Sequence, residues 1–526
     1  MKPVEAVVLL MCAVVGLALV GRRMRVPYPI ALVIGGLGIS LIRGLPSIRI
    51  QPDMVFLIFL PPLIYAAAWL TSWHDFKLNL RPIFFLAVGL VLFTTLVVGW
   101  IMHWLIPELP LPLAFAFGAI VSPPDAVAAT AIAQQVRLPK RIVTVLEGES
   151  LVNDATGLVA LRFALAAAIS GQFSLAHAAG EFVWVAAGGM AVGLVAGYLV
   201  IKAMRVIKDD YLLITVSFVG PYAAYLPAER LHVSGVLAAV TAGMYGGWMG
   251  PEILAASARL SATAVWQMLV FLLNCVVFML IGLELRHVMR ALEEYSIGEL
   301  IFYGGAASLA VILIRPIWVF PATWLPRALS RKLRERDPMP SWRAVVIVGW
   351  SGMRGVVSLA AALALPETDG AGRPLPGRAL LIYLTFCVIL ATLVFQGLTL
   401  AWLARWLGLQ GNPSDEEERD ARLKLAHAAL ARLKELTVES QGSEEALRRV
   451  SEIYEKRIKR WNDPLAETLG WSEGRQSYVM TRRFLLEAAN AERRELIRLR
   501  RHHGVDEELM RRIEREIDLE ESRLLS

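Results

Sequence analysis

The chain has 526 residues, of which 56% are hydrophobic and only 19% are charged, and its mean hydropathy is +0.54. This composition excludes an ordinary soluble domain and predicts an all-α polytopic membrane protein. The net charge is +7. In a membrane protein an excess of basic residues sets the orientation, so we do not expect nucleic acid as a partner. Residues 410–526 hold 48 of the 99 charged residues. We therefore expect a transmembrane unit over 1–409 and a charged, helical cytoplasmic domain over 410–526.

A helix needs about 20 mostly apolar residues to span a bilayer. Runs of this kind lie near 4–21, 27–42, 53–70, 82–106, 111–134, 142–169, 181–204, 211–228, 231–250, 264–285, 297–321, 343–365 and 378–404. We expect the first to be a membrane span and not a removed signal peptide, because no small-residue cleavage site follows it. The sequence predicts about 13 transmembrane helices.

The basic residues predict the orientation of these spans. With the N-terminus outside, the inner connections carry 18 Lys/Arg, more than twice as many as the outer ones. Positive residues are retained on the cytoplasmic side. We therefore expect a multi-pass protein of the cell membrane with its N-terminus outside and its C-terminus in the cytoplasm.

Two predicted spans are interrupted. Span five contains Ser122-Pro123-Pro124-Asp125, and span twelve contains Gly349-Trp350-Ser351-Gly352-Met353-Arg354-Gly355. If six spans are repeated after one linker span, the second copy is inverted and spans five and twelve correspond. Broken helices at equivalent positions line the transport site of inverted-repeat secondary transporters.

Span six places a carboxylate near the middle of the membrane. Asp154 lies twelve residues into the span, roughly 18 Å through a hydrocarbon core of ~30 Å. Glu149, Ser150, Asn153 and Gly157 share its side of the helix, so we expect one continuous oxygen-rich face. A charge at this depth requires a partner, a water-filled cavity or a function.

Oxygen ligands suit a hard monovalent cation such as Na⁺. We expect Asp154 and Ser150 to bind Na⁺ together with backbone carbonyl groups freed by the Pro123-Pro124 break. Burial favours the neutral carboxyl, whereas a bound cation favours the carboxylate. Competition of proton and cation for one acid, in a site that opens alternately to each side, is antiport.

The spans also contain two arginines. Arg354 cannot remain unpaired at depth, and we predict that it pairs with Glu149 and holds the broken elements together. Arg315 is either a second structural charge or a side chain that reaches to the membrane interface.

Three segments resemble a known family: Glu147-Gly148-Glu149-Ser150-Leu151-Val152-Asn153-Asp154, Pro61-Pro62-Leu63-Ile64-Tyr65 and Gly352-Met353-Arg354-Gly355. They are similar to segments of the first monovalent cation:proton antiporter family, which includes bacterial sodium/proton antiporters and animal sodium/proton exchangers. The resemblance covers essentially residues 1–405. It implies a homodimer with a dimerisation domain and a moving six-helix core that contains two crossing broken helices and works as an elevator.

The resemblance also implies roles for individual residues. Asp154 corresponds to the carboxylate that binds ion and proton, Asn153 to its supporting neighbour, and Glu149 with Arg354 to the core ion pair. Asp125 corresponds to the acidic residue of the first crossing helix.

Two positions depart from the family pattern. The family's Asp-Pro order is replaced by Pro124-Asp125, and Ala66 stands where some relatives have an acid. Pro124 and Ser122 are further candidates near the ion. An Asn-Asp pair resembles the electroneutral, one-for-one members.

The expected activity is therefore exchange of Na⁺ for H⁺, with Li⁺ or K⁺ as other cations, K⁺/H⁺ exchange as the alternative, and no cofactor. An intramembrane serine protease and a channel are remote alternatives. Gly349-Trp350-Ser351-Gly352 matches the short protease pattern, but the later histidines, His427, His502 and His503, all lie in the tail. No segment resembles a carbonyl filter.

The tail has helical patterns. Ser414 to Glu417 read as a capping box, and Leu423, Ala426, Leu430 and Leu433 repeat at helical spacing. Val505, Leu509, Ile513 and Ile517 form a later apolar stripe. We expect helices that pack on one another or on a partner tail, for regulation or dimer support, or that remain solvated.

Overall fold

The computed structural model describes residues 3–24, 26–40, 55–125, 129–130, 136, 138–170, 175–254, 256–290, 292, 294–368 and 372–409, and a few residues of the C-terminal part. Contacts divide the chain into Met1–Gly411 and Asn412–Ser526. In the second unit, Leu423, Ala426, Leu430 and Leu433 are helical. The predicted capping box and the stripe from Val505 to Ile517 lie outside the described residues.

The first unit is built of helices. Their bounds are α1 Pro3–Met24, α2 Tyr28–Ser40, α3 Leu60–Leu70, α4 Trp73–Leu78, α5 Leu80–Leu105, α6 Leu111–Val121, α7 Lys140–Ser170, α8 Leu175–Val206, α9 Asp210–Arg230, α10 Gly235–Ile253, α11 Ala256–Arg290, α12 Ile297–Leu329, α13 Arg331–Arg336, α14 Trp342–Trp350, α15 Val356–Leu363 and α16 Arg378–Trp406. Each of the thirteen predicted runs contains a described helix.

The described residues include seven helices that are long and apolar enough to cross a membrane, and α2, α3 and α6 are shorter apolar helices. This confirms the predicted all-α, multi-pass class. The number of thirteen spans stays a prediction.

Short polar side chains set where several helices begin. The Ser341 hydroxyl accepts a hydrogen bond from the Ala344 N–H at the start of α14 (3.3 Å). At the start of α12, Ser296 and Glu299 form a reciprocal capping box. Such caps satisfy amide groups that have no partner inside the helix.

Small residues allow helices to approach closely. A Cβ atom added at Gly36 of α2 would lie 2.5 Å from the Met279 carbonyl oxygen of α11. A Cβ atom at Gly189 of α8 would lie 2.5 Å from the Ser234 carbonyl oxygen, directly before α10. Close backbone packing of this kind is how membrane helices gain van der Waals contact where lipid is as apolar as the side chains.

Both predicted interruptions are present and contact each other. Helix α6 ends at Val121 and is followed by a non-helical segment, and residues 351–355 separate α14 from α15. The Asp125 N–H donates to the Met353 carbonyl oxygen (2.6 Å), which joins the two segments. The continuation of the first broken helix after Asp125 lies mostly outside the described residues.

Candidate ion-binding site

A cavity of about 650 Å³ opens beside the two interruptions. On one side it is lined by α7 and the two breaks, and on the other by α3, α9, α10 and α11. Its polar and acidic lining includes Tyr28, Asp125, Thr130, Glu147, Ser150, Asp154, Ser217, Gln267, Asn274 and Ser358. The predicted residues Asp154, Ser150, Asp125 and Pro124 are thus brought to one cavity.

The predicted oxygen-rich face of α7 divides into two. Ser150 and Asp154 line the cavity, and the Asp154 side chain is only 7% exposed. Glu149 and Asn153 do not line the cavity and are fully buried in the protein. The reason is geometric, because neighbouring residues of an α-helix point about 100° apart. The continuous face that we expected therefore serves two different environments.

Asn153 connects α7 to the first break. Its Nδ2 donates to the Pro124 carbonyl oxygen (3.0 Å). Its buried Oδ1 has no hydrogen-bond partner within the described part of the chain. Because a carbonyl oxygen has two lone pairs, this bond fixes the Pro124 carbonyl without using its whole acceptor capacity. Gly157, one turn further on, allows the helix to approach, since a Cβ atom there would lie 2.5 Å from Pro123 Cγ.

Asp125 is positioned by the second break. Its backbone N–H donates to the Met353 carbonyl oxygen, and its carboxylate lies directly over Gly355. A Cβ atom at position 355 would overlap the Asp125 carboxylate. Gly355 immediately precedes α15, so the carboxylate lies at a helix N-terminus, where unpaired amide groups and the helix dipole favour negative charge.

The predicted pairing of Glu149 with Arg354 is wrong. Glu149 pairs with Arg315 of α12, with Nη1 2.5 Å from Oε1 and Nη2 2.7 Å from Oε2. Each of the two side chains is 1% exposed. Arg315 Nε also donates to the Val348 carbonyl oxygen of α14 (3.0 Å). Arg315 is therefore a structural charge that joins α7, α12 and α14 and does not reach to the interface.

Arg354 binds backbone carbonyl groups instead. Its Nε donates to the Val121 carbonyl oxygen (2.8 Å), Nη2 to that of Ser122 (3.4 Å) and Nη1 to that of Gly352. Thr392 accepts its backbone N–H (3.1 Å). The physical reason is that broken helices leave carbonyl groups without N–H partners, and a guanidinium supplies several donors. Arg354 thus contacts both breaks through backbone carbonyl groups and not through Glu149.

Two serines near the breaks lie outside the lining of the cavity. The Ser122 hydroxyl donates to the Ala119 carbonyl oxygen of its own helix (2.9 Å), so its placement does not support the suggested role as an ion ligand. Ser351, from the protease-like pattern, donates to the Ile347 carbonyl oxygen (2.8 Å) and is buried. Neither hydroxyl faces the space in which a substrate would bind.

Some lining residues were missed by the sequence reasoning. Glu147 lies seven residues, or about two helical turns, before Asp154 and faces the same cavity. Gln267 and Asn274 are spaced by seven in an otherwise apolar stretch of α11 and also line it. The signal was present, because residues at i and i+7 share a face and lone polar side chains in an apolar helix mark functional positions.

Two contacting broken helices, with acidic side chains facing a cavity beside them, are the architecture of a helical membrane carrier. The chain belongs to the sodium/hydrogen exchanger family, whose transmembrane model matches residues 8–406. It is thus a multi-pass membrane protein of an antiporter family.

Known relatives are similar over most of the chain. A sodium, potassium, lithium and rubidium/H⁺ antiporter of Bacillus pumilus is 36% identical over 78% of this chain and 63% of its own length. This chain thus spans less than two thirds of that relative. An uncharacterised Na⁺/H⁺ exchanger of Mycobacterium bovis is 32% identical over 99% of this chain and 96% of its own length.

A solved structure has the same fold. The sodium proton antiporter of Methanocaldococcus jannaschii at pH 8 matches with a TM-score of 0.62 and 21% identity, covering 78% of this chain and 100% of that chain.

Proposed function

We propose that this protein is a secondary active antiporter that exchanges Na⁺ for H⁺, with Asp154 binding either the cation or the proton. One observation carries the proposal: Asp154 and Ser150 face a cavity of about 650 Å³ next to the contacting breaks, in a chain of the sodium/hydrogen exchanger family. The names of several relatives describe Na⁺/H⁺ antiporters.

The ligands of the cation in this proposal are oxygen atoms from α7 and from the first break. Asp154 and Ser150 contribute side chains, and Asp125 and the Pro124 carbonyl are held nearby by Gly355 and Asn153. Carboxylate, hydroxyl and carbonyl oxygens suit a hard cation. The buried carboxyl is neutral with its proton or neutralised by the cation, so neither form leaves an uncompensated buried charge.

Alternating access requires the cavity to open to one side of the membrane at a time. It extends from Asp154 to Thr71, directly after α3, and to Arg259, in the first turn of α11. The distribution of basic residues assigns both of these helix ends to the cytoplasm. We therefore assign the described conformation to the inward-open state, with the N-terminus outside and the C-terminal unit over 410–526 in the cytoplasm. The α7 side of the cavity is the moving core of an elevator, and the functional protein is a homodimer, as the family resemblance implies.

Exchange is electroneutral in this proposal. Asn153 is an amide, so Asp154 is the one acid of the Asn153-Asp154 pair, and one cation replaces one proton on it. If Asp125 instead also exchanged a proton in each cycle, net charge would cross the membrane and transport would respond to the membrane potential.

K⁺/H⁺ exchange is the second candidate. Ala66 lines the cavity and offers no carboxylate, and the Bacillus pumilus relative is named for four different cations. A site with fewer charged ligands prefers Na⁺ over K⁺ less strongly. Na⁺ is smaller and more strongly hydrated, and fewer carboxylates offset the free energy of its dehydration.

Proteoliposomes with an internal pH dye test these proposals. Outward gradients of Na⁺, Li⁺ and K⁺ are imposed in turn. In the Na⁺ and Li⁺ experiments, valinomycin with equal K⁺ concentrations inside and outside clamps the membrane potential at zero. Cation-driven proton movement supports antiport, and the cation series distinguishes Na⁺ from K⁺. A rate unchanged at an imposed potential supports one-for-one exchange. Absence of proton movement with every cation would contradict antiport.

A further inference from the structure

A groove on the far side of α7 from the ion cavity has the features of a lipid site. Its volume is about 90 Å³. Arg81, Arg141 and Arg327 line it together with apolar side chains that include Phe85, Val145, Val319 and Val348. One part of the groove is therefore cationic and the remainder is hydrocarbon.

The three arginines share one acid. Asp337 Oδ1 lies 2.5 Å from Arg141 Nη2, and Asp337 Oδ2 lies 2.5 Å from Arg327 Nη2. Arg81 Nη1 is 4.0 Å from the same Oδ2 atom, beyond hydrogen-bond distance. The nearby Lys140 is already paired with Asp75 (2.7 Å). The cluster of Arg81, Arg141, Arg327 and Asp337 thus carries a formal charge of +2.

Arg81 has capacity to bind a further anion. Its Nη1 and Nη2 atoms are buried, and neither has a hydrogen-bond partner among the described groups. Arg141 and Arg327, by contrast, also bind Asn79 and the Thr323 carbonyl oxygen. A guanidinium presents parallel N–H donors that match the oxygens of a phosphate, and leaving buried cationic donors unpaired is costly.

The surroundings of the groove are those of a membrane interface. Phe84, at the start of α5, is 60% exposed, and Trp342, at the start of α14, is 52% exposed. Arg343 lies 5.9 Å from the Trp342 ring centre. Exposed aromatic rings beside basic residues are typical of the headgroup level of a bilayer. A free phosphate would leave the apolar part of the groove unfilled, whereas a lipid has both chemistries.

We propose that this groove binds an anionic phospholipid, with its phosphate on Arg81 and the adjoining part of an acyl chain between α5, α7, α12 and α14. The bound lipid joins the start of α5, the start of α7, the end of α12 and the start of α14. It therefore braces the cytoplasmic end of the helices that also hold the Glu149–Arg315 pair. Anionic lipids are enriched in the cytoplasmic leaflet, where basic residues are retained.

Native mass spectrometry of the full chain tests this site. The protein is incubated with dioleoylphosphatidylglycerol or with dioleoylphosphatidylcholine, which has the same chains and no net charge. We expect phosphatidylglycerol to bind the wild type, and Arg81→Gln to bind it about tenfold more weakly, as for loss of one charge-assisted pair. The matched control is Arg334→Gln, an exposed arginine of α13 that does not line the groove.

Melting temperatures in detergent provide a second measurement. Phosphatidylglycerol should raise the melting temperature of the wild type and of Arg334→Gln more than that of Arg81→Gln, and inorganic phosphate at equal concentration should not reproduce the rise. The proposal is overturned if the wild type does not bind phosphatidylglycerol, if phosphatidylcholine binds equally, if Arg81→Gln binds like the wild type, or if phosphate alone gives the full effect.

Discussion

Arg315 and Glu149 form a bidentate salt bridge in the interior of the helical unit, with N–O distances of 2.5 and 2.7 Å. Their helices, α12 and α7, are far apart in sequence, and both side chains are outside the lining of the ion cavity. The pair is therefore a structural connection behind the site. Removing one partner of a buried pair leaves the other charge unpaired, at a cost of about 3–5 kcal/mol.

The first prediction concerns this pair. Glu149→Ala and Arg315→Ala should each lower the free energy of unfolding by about 3–5 kcal/mol. The double variant should be less destabilised than the sum of the two, because neither charge is then left alone. Unfolding by sodium dodecyl sulfate in mixed micelles measures the three values. Additive effects on stability would contradict a coupled pair. Normally folded single variants that have lost transport would place the pair in the mechanism.

The second prediction concerns Gly355. Gly355→Ala introduces a Cβ atom that overlaps the Asp125 carboxylate, so Asp125 must move away from its present position. We expect exchange to fall at least about tenfold and stability to fall by about 1–3 kcal/mol, as for overpacking. Gly349→Ala is the matched control, since its nearest contact would be an acceptable 3.4 Å from Pro316. Exchange by both variants at the wild-type rate would show that the position of Asp125 is unimportant.

The third prediction concerns Asn153. Asn153→Ala removes the hydrogen bond to the Pro124 carbonyl oxygen (3.0 Å) and frees that part of the break. We expect a several-fold higher KM for the cation and a loss of about 1–3 kcal/mol in stability. Thr156→Val serves as control, because the Thr156 hydroxyl donates within its own helix to Val152. An unchanged KM in Asn153→Ala would remove the Pro124 carbonyl from the ion site.

The fourth prediction concerns Asp337. Partial burial raises the pKa of Asp337, but the hydrogen bonds and charges of Arg141 and Arg327 outweigh it, so the pKa lies below its ordinary value. A lowered carboxyl pKa stabilises the folded state above the unfolded value of about 3.9, and this stabilisation is lost as the pH falls through the folded pKa. Asp337→Asn should therefore lower the melting temperature equally from pH 5 to pH 8.

The same comparison at lower pH tests the assignment. Below about pH 4 the difference between wild type and Asp337→Asn should become progressively smaller, because the unfolded chain then takes up a proton at Asp337 that the folded protein binds only at lower pH. A difference that instead changed between pH 6 and pH 8 would point to a group other than Asp337.

Much of the fold follows from the sequence because its signals are local. Run length predicts membrane helices, and the Pro123-Pro124 and Gly352–Gly355 segments predict interruptions whatever their neighbours are. The depth of Asp154 follows from the helical rise. These features do not depend on which helices pack together.

The choice of partners could not be predicted in the same way. Arg315 and Arg354 both lie within apolar spans, and helical periodicity gives the direction of Glu149 but not the helix that it meets. The structure assigns Arg315 to Glu149, and Arg354 to carbonyl groups that exist only because the helices are broken. Similarly, Ser150 and Glu149 are adjacent in sequence, yet only Ser150 faces the cavity.

The central claim is that Asp154 binds the transported cation and proton in turn. The most direct test is cation-driven proton movement in proteoliposomes that contain Asp154→Asn, with Glu108→Gln, an exposed acid between α5 and α6, as control. Chromatographic profile and melting temperature establish that each variant is folded. We predict no exchange by folded Asp154→Asn with Na⁺, Li⁺ or K⁺ and wild-type exchange by the control. Exchange by Asp154→Asn at a rate near that of the wild type would contradict the claim.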